Sequence, residues 1–104
     1  MSLVTTEDRE TVIRTSERRA RRWSTYVDTL LDAFHASDGG PASLASKMEE
    51  LRNKRDSVLT KVEALKRHKA TGWSAARAEL RDAQSELRGV WRSVISTLDK
   101  ECVA

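Results

Sequence analysis

From Trp73 to Leu98 the apolar residues fall at Trp73, Ala76, Leu80, Ala83, Leu87, Val90, Val94 and Leu98, in steps of three and four. That spacing brings them to one side of an α-helix in near-heptad phase. Arg77, Glu79, Arg81, Asp82, Gln84, Ser85, Glu86 and Arg88 fill the gaps, so only one face is suited to burial. A helix of this kind needs partners.

Two further stripes supply them. Ile13, Ser16, Ala20, Trp23, Val27, Leu30 and Phe34 repeat the same steps, and Thr5 or Thr6 with Glu7, Asp8 and Glu10 suits the helix start. Ser37-Asp38-Gly39-Gly40-Pro41 is the strongest break in the chain. A second helix then carries Leu44, Met48, Leu51, Val58, Val62 and Leu65, with Arg55 where an apolar residue is expected. Ser46 with Glu49 has the pattern of a capping box, and Ser43 competes for the cap. Thr71-Gly72 reads as a tight turn, with Thr71 a candidate cap for the third helix. A continuous second and third helix is the alternative, but the stripe slips between Leu65 and Trp73, which favours the turn.

A hairpin at that turn places opposite one another residues whose numbers sum to about 142. Val62 then faces Leu80, Val58 faces Ala83, Leu51 faces Trp91, Met48 faces Val94 and Leu44 faces Leu98. Apolar meets apolar at every level, with Ala76 and Ala83 permitting close approach. Arg55 falls beside Glu86 and Leu87, where its stem covers the leucine and its head pairs with the acid.

Leu51-Arg52-Asn53-Lys54-Arg55-Asp56, followed by Lys61-Val62-Glu63-Ala64-Leu65-Lys66, resembles a family of small bacterial coiled-coil proteins. Those proteins carry a Leu-Arg-x-Lys-Arg-Asp-like run, then a Leu-Glu-Glu-Leu-Lys-like run, then a tryptophan in the place of Trp73. Leu80, Ala83 and Leu87 also match, and the resemblance covers roughly residues 49–90. The chain departs from the pattern at His68–Gly72 and at Gln84, where the family has a second tryptophan, and the first helix matches only around Trp23. The resemblance implies a helical fold with a turn before Trp73, an association with stress responses, and no catalytic residues.

Composition narrows the picture little further. One proline, four glycines and 34% charged residues in 104 suit a single helical domain with a modest core. The net charge of +3 comes from the second half: residues 53–104 hold 11 basic and 7 acidic groups, against 8 and 9 in residues 1–52. Cys102 is the only cysteine, which points to a reducing, cytoplasmic setting. The first ten residues have no apolar signal-peptide core, and no stretch approaches the roughly 18 apolar residues of a membrane span.

The sharpest candidate for chemistry is Arg18-Arg19-Ala20-Arg21-Arg22, followed in sequence by Trp23, with Arg14, Arg18 and Arg21 on the side of the helix away from that tryptophan. Arg14, Arg18, Arg21 and Arg22 are candidate polyanion contacts. A solvated face is the simpler reading, because Glu10 and Glu17 stand four residues before Arg14 and Arg21, and Trp23 belongs to the apolar stripe. Lys66-Arg67-His68-Lys69 suits the negative pole of a helix end. His35 and His68 have no metal-ligand spacing, Cys102 has no base nearby, and the three tryptophans at 23, 73 and 91 read as core. Neither a cofactor nor a metal is expected.

The expected architecture is therefore an all-α antiparallel three-helix bundle with coiled-coil-like packing, its helices near 5–36, 43–69 and 73–101. Trp23, Leu51, Val58, Val62, Leu65, Trp73, Leu80, Ala83, Leu87 and Val90 form the expected packing seam. Val12, Tyr26, Leu31, Leu59, Trp91 and Ile95 lie off the stripes, either to close the core or to meet another chain. Three functions follow as expectations. The first is a non-enzymatic interaction or scaffold protein that associates with itself or another helical protein. The second is a weak nucleic-acid binder using the arginine face. The third is a protein that lays the first helix on a membrane surface.

Overall fold

Each apolar stripe folds as the helix its spacing predicts. The computed structural model describes residues 6–36, 42–68 and 72–103, with side chains from Arg9 to Lys100 among them. It forms an all-α three-helix bundle: α1 (Thr6–Ala36), α2 (Ala42–Arg67) and α3 (Trp73–Val103). Ion pairs from Arg55 to Asp28 and from Lys66 to Glu17 show that α2 runs antiparallel to α1. Pairs from Lys54 to Glu86 and from Lys61 to Glu79 show the same for α3. The bundle is a rod of 58 × 19 × 17 Å with a radius of gyration of 16.6 Å. A compact chain of this length would have about 13 Å.

The turn before α3 is real. His68 N–H is shared between the carbonyls of Ala64 and Leu65, both at 3.2 Å, which tightens the end of α2. Gly72 has φ +79°, a value that only glycine adopts freely, and its carbonyl accepts the first bond of α3 from Ala76 N–H at 2.9 Å. A side chain there would also come within 3.0 Å of the His68 ring. The Ser37–Pro41 break, Lys69, and Thr71 as a cap lie outside the described residues, as do the side chains of Thr5, Thr6 and Cys102. One expectation is corrected: α2 begins at Ala42, so Ser46 and Glu49 stand inside the helix and form no capping box.

The core lies mainly between α2 and α3. Leu44, Met48, Leu51, Val58, Val62 and Leu65 of α2 are buried against Trp73, Ala76, Leu80, Ala83, Leu87 and Val94 of α3. Among the described side chains of α1 only Ser16, Ala20 and Val27 are buried, while Ile13, Trp23, Leu30 and Phe34 are half-buried against the cluster. Val90, assigned to the seam, is also half-buried. Among the described residues α1 and α3 bring no Cα pair within 8 Å, whereas α2 approaches both. Helices in direct contact have axes about 8–10 Å apart, so α1 and α3 stand wider than packed neighbours.

Two side chains reach toward α1. Arg55 points not to Glu86 but to α1, where it pairs with Asp28 and lies 3.4 Å from Ser24 Oγ, while Lys54 takes Glu86. Its side chain is only 12% exposed, and its position on the α2 stripe faces the thinner α1 side of the core. Burial works against its charge, but the bonds to Asp28 and Asp56 outweigh that and hold its pKa above the usual range. Trp91, expected to face Leu51, packs against the core cluster that includes Leu51 and also leans toward α1. One step off the stripe, it reaches sideways to Trp23 of α1, ring centroids 5.4 Å apart and nearly perpendicular.

Ala83→Leu adds three heavy atoms to a buried position and should cost about 1–3 kcal/mol by overpacking. Gln84→Leu, half-buried between α1 and α3, should leave stability unchanged or raise it, and chemical denaturation of both variants measures the contrast. Equal losses would mean that the assigned faces are wrong. Arg55→Leu removes a buried charge but keeps most of its packing, so its stability should stay within about 1 kcal/mol of the parent. Arg55→Ala loses the stem as well and should cost about 1–3 kcal/mol by the same measurement.

Candidate docking groove

Two of the three seams are closed by opposite charges. Along α2 and α3, Lys47 Nζ donates to Ser93 Oγ, Lys54 pairs with Glu86 and Lys61 with Glu79, each at 2.7 Å. The rungs stand seven residues apart on both helices, with numbers summing to 140. They are the flanking positions that set orientation in an antiparallel coiled coil. Between α1 and α2, Lys66 holds Glu17 at 2.6 Å and Arg55 holds Asp28. Hydrogen bonds from the lysines lower the carboxyl pKa of Glu17 and Glu79, and the bond to Glu86 raises that of Lys54.

The α1–α3 seam differs. No ion pair crosses it among the described residues. A groove follows it instead, made up of three cavities whose neighbours share lining residues, Arg19 and Gln84 between the first two and Trp23 between the last two. Near the start of both helices it holds about 220 Å³ between Thr11, Val12, Thr15 and Arg19 of α1 and Arg77, Arg81 and Gln84 of α3. It narrows to about 30 Å³ between Arg19, Trp23, Gln84 and Arg88, where Val58 of α2 forms part of the floor. It then widens to about 460 Å³ between Trp23, Tyr26, Thr29, Leu30, Ala33, Trp91 and Ile95.

Charge and polarity divide the groove along its length. Arg19, Arg77, Arg81 and Arg88 line the first two parts, and no carboxylate lines any part. The far end is apolar. Trp23, Tyr26 and Trp91 pack as a triad there, Tyr26 lying 6.0 Å from Trp23 and 6.3 Å from Trp91. Tyr26 is still 47% exposed, and is the exposed large hydrophobic of the described surface.

The arginines proposed from sequence do not converge on one site. Arg14, Arg18, Arg21 and Arg22 are all exposed, but Arg14 overhangs the α1–α2 cleft with Glu10, Glu17 and Lys66. Glu17 is taken by Lys66, so Arg21 acts on it only as a longer-range charge. Trp23, expected to be buried, is half-buried in the groove wall, as is Trp91, while Trp73 is buried beneath the guanidinium of Arg9 at 5.9 Å. His35 and His68 are exposed, and Lys66 spans Glu17 and Glu63 besides standing at a helix end. Sequence reasoning missed Arg19, Arg77, Arg81 and Arg88 as groove residues. The signal was there: placing each helix in heptads puts Arg19 beside the α1 stripe and the other three beside the α3 stripe, on facing flanks.

Among the described residues no group of three His, Cys, Asp or Glu side chains could hold a metal ion. No described helix is long and apolar enough to cross a membrane. No family model matches the chain, nor does any curated protein or solved structure.

The bridged seams predict a pH response. Glu17 and Glu79 have native pKa values below 4.5, so their stabilisation is complete above that value. It is lost as pH falls through the lower native values. Thermal melts from about pH 6 downwards should show the midpoint falling in that acid window. A Glu17→Gln, Glu79→Gln double variant should start lower and fall less steeply.

Proposed function

We propose that this chain is a non-enzymatic helical interaction protein whose α1–α3 groove seats a helix from outside the bundle. One observation carries the reading: two seams are bridged by opposite charges, while the third is wide, free of carboxylates and apolar at one end. A gap between two parallel helices is the place a fourth helix takes in a four-helix bundle. Of the residues off the main stripes, Val12, Leu31, Leu59 and Trp91 pack against the core. Tyr26 and Ile95 stand at the groove mouth, where they contribute contact area to a partner. The dispersal of Arg14, Arg18, Arg21 and Arg22 gives a nucleic acid no continuous track, and a concave cleft suits a membrane surface poorly.

The test is an environment-sensitive fluorophore at the groove rim, on Thr29→Cys with Cys102→Ser. Thr29 is exposed, and its hydroxyl is bonded only to the Thr25 carbonyl of its own helix. Extract from cells that make the protein should shift the label's emission to the blue. The same label on Asn53→Cys, exposed on α2, should not respond, and Ile95→Glu should abolish the shift at position 29. No shift at 29, or equal shifts at both positions, would sink the reading.

A further inference from the structure

The groove's lining specifies its occupant, on the assumption that the docking reading above holds. We infer that the groove receives an amphipathic helix of a different protein, apolar in one half and acidic in the other. The three parts of the groove run from Thr11 to Ala33 along α1, which is room for a helix of about 22 residues, or about 33 Å. Arg19, Arg81 and Arg88 stand exposed over the first two parts with no ion-pair partner among the described residues. Carboxylates on the occupant would complete them as Glu79 and Glu86 complete the lysines of α2. Beyond them Leu30, Ala33 and Ile95 offer nothing to a charge, and the occupant there must bring large apolar side chains.

Orientation follows from the neighbours. α1 and α3 run parallel, so their dipoles favour a helix lying antiparallel to both, as α2 does. The acidic half of the occupant then meets the starts of α1 and α3 and is its carboxyl-terminal half. Both the arginines and the positive helix poles favour negative charge at that end.

A second copy of this chain fits less well. Its matching face carries the same four arginines and no carboxylate, so a face-to-face dimer sets arginine against arginine or leaves the basic half unfilled. Glu17, Glu79 and Glu86 are already engaged within the bundle, and the described carboxylates left without an ion pair, such as Glu49 and Glu50, lie off the groove-lining face. A nucleic acid would satisfy the arginines but would place phosphates over the aliphatic end. Interleaved aromatics and arginines would serve it, whereas here they are segregated along the axis.

The rim-labelled chain tests this with four probes. The first is a helical peptide of about 22 residues with leucines facing the groove in its amino-terminal half and glutamates in its carboxyl-terminal half. The second has lysines for those glutamates, the third is an oligo-dT strand, and the fourth is a phosphatidylserine vesicle. The glutamate peptide should shift the label at position 29, and Arg19→Gln, Arg81→Gln, Arg88→Gln together should weaken it by about tenfold or more. Affinity should fall with added salt in the parent and much less in the triple variant. Ile95→Glu should abolish binding, with circular dichroism confirming that both variants remain helical. Equal binding of the lysine peptide, or preference for the oligonucleotide or the vesicle, would overturn the acidic-helix assignment. So would sedimentation showing a dimer that Ile95→Glu dissolves. No response to the glutamate peptide, with a blue shift in extract, refutes this partner class alone; no response to either refutes the docking reading as well.

Discussion

The structure depends on α2 being shared. Its six buried side chains form the middle of the core, and the charged residues on its two flanks reach α3 on one side and α1 on the other. Both neighbours are ion-paired to α2, and among the described residues no ion pair joins them to each other. Two helices drawn onto one central helix without a strong attraction between them settle apart, and the groove is the space left over. The same arrangement explains why α1 buries so little: it has one apolar partner where a helix in an evenly packed bundle has two.

Charge then keeps the groove from closing. α2 presents Lys47, Lys54, Lys61 and Lys66 along its edges, and its neighbours answer with Ser93, Glu86, Glu79 and Glu17. These exposed pairs individually contribute little to stability, but their signs fix which helix lies beside which, and in which direction. Glu17 and Asp28 of α1 and Glu79 and Glu86 of α3 are thereby drawn toward α2. What remains on their far flanks is Arg19 on one side and Arg77, Arg81 and Arg88 on the other. Like charges facing across a seam oppose its closure. The pattern that orders the bundle also leaves one seam positively charged.

Much of this was legible in the residue spacing, because burial in a long helical bundle is a periodic property. The stripes of α2 and α3 and their separation at Gly72 follow from steps of three and four, and the opposing register, read as sums near 142, comes out at 140 in the ion pairs. What spacing does not carry is the angle at which a third helix sits on a pair. Arg55 shows the difference. Its position on the α2 stripe was readable, but whether it faced Glu86 or Asp28 depended on where α1 lay. Trp91 is the same case, one step off its stripe and free to serve either neighbour until α1 is placed. The arginines of the groove were equally visible as charges, yet a charge on a helix flank becomes a site only when a second flank faces it. The Arg18–Arg22 run attracted attention because its members are adjacent in sequence. Residues in such a run point all around a helix, and of its four arginines only Arg19 lines the groove.

The aromatic triad resolves a conflict between holding α1 to α3 and leaving the groove open. With no Cα pair of the two helices within 8 Å, short side chains cannot span the seam, and only the largest can. Trp23 and Trp91 span it with their rings edge to face at 5.4 Å, an arrangement worth about 0.5–1.5 kcal/mol beyond the area it buries. Rings large enough to bridge a wide seam also form a wall deep enough to line a cleft. The tether and the wall are therefore the same two side chains. Tyr26 also reaches Trp91 across the seam at 6.3 Å but stays 47% exposed, while Ile95 stands at the rim. The rings that span the seam therefore contribute to the bundle's stability, while Ile95 lies on the exposed edge of the cleft they form.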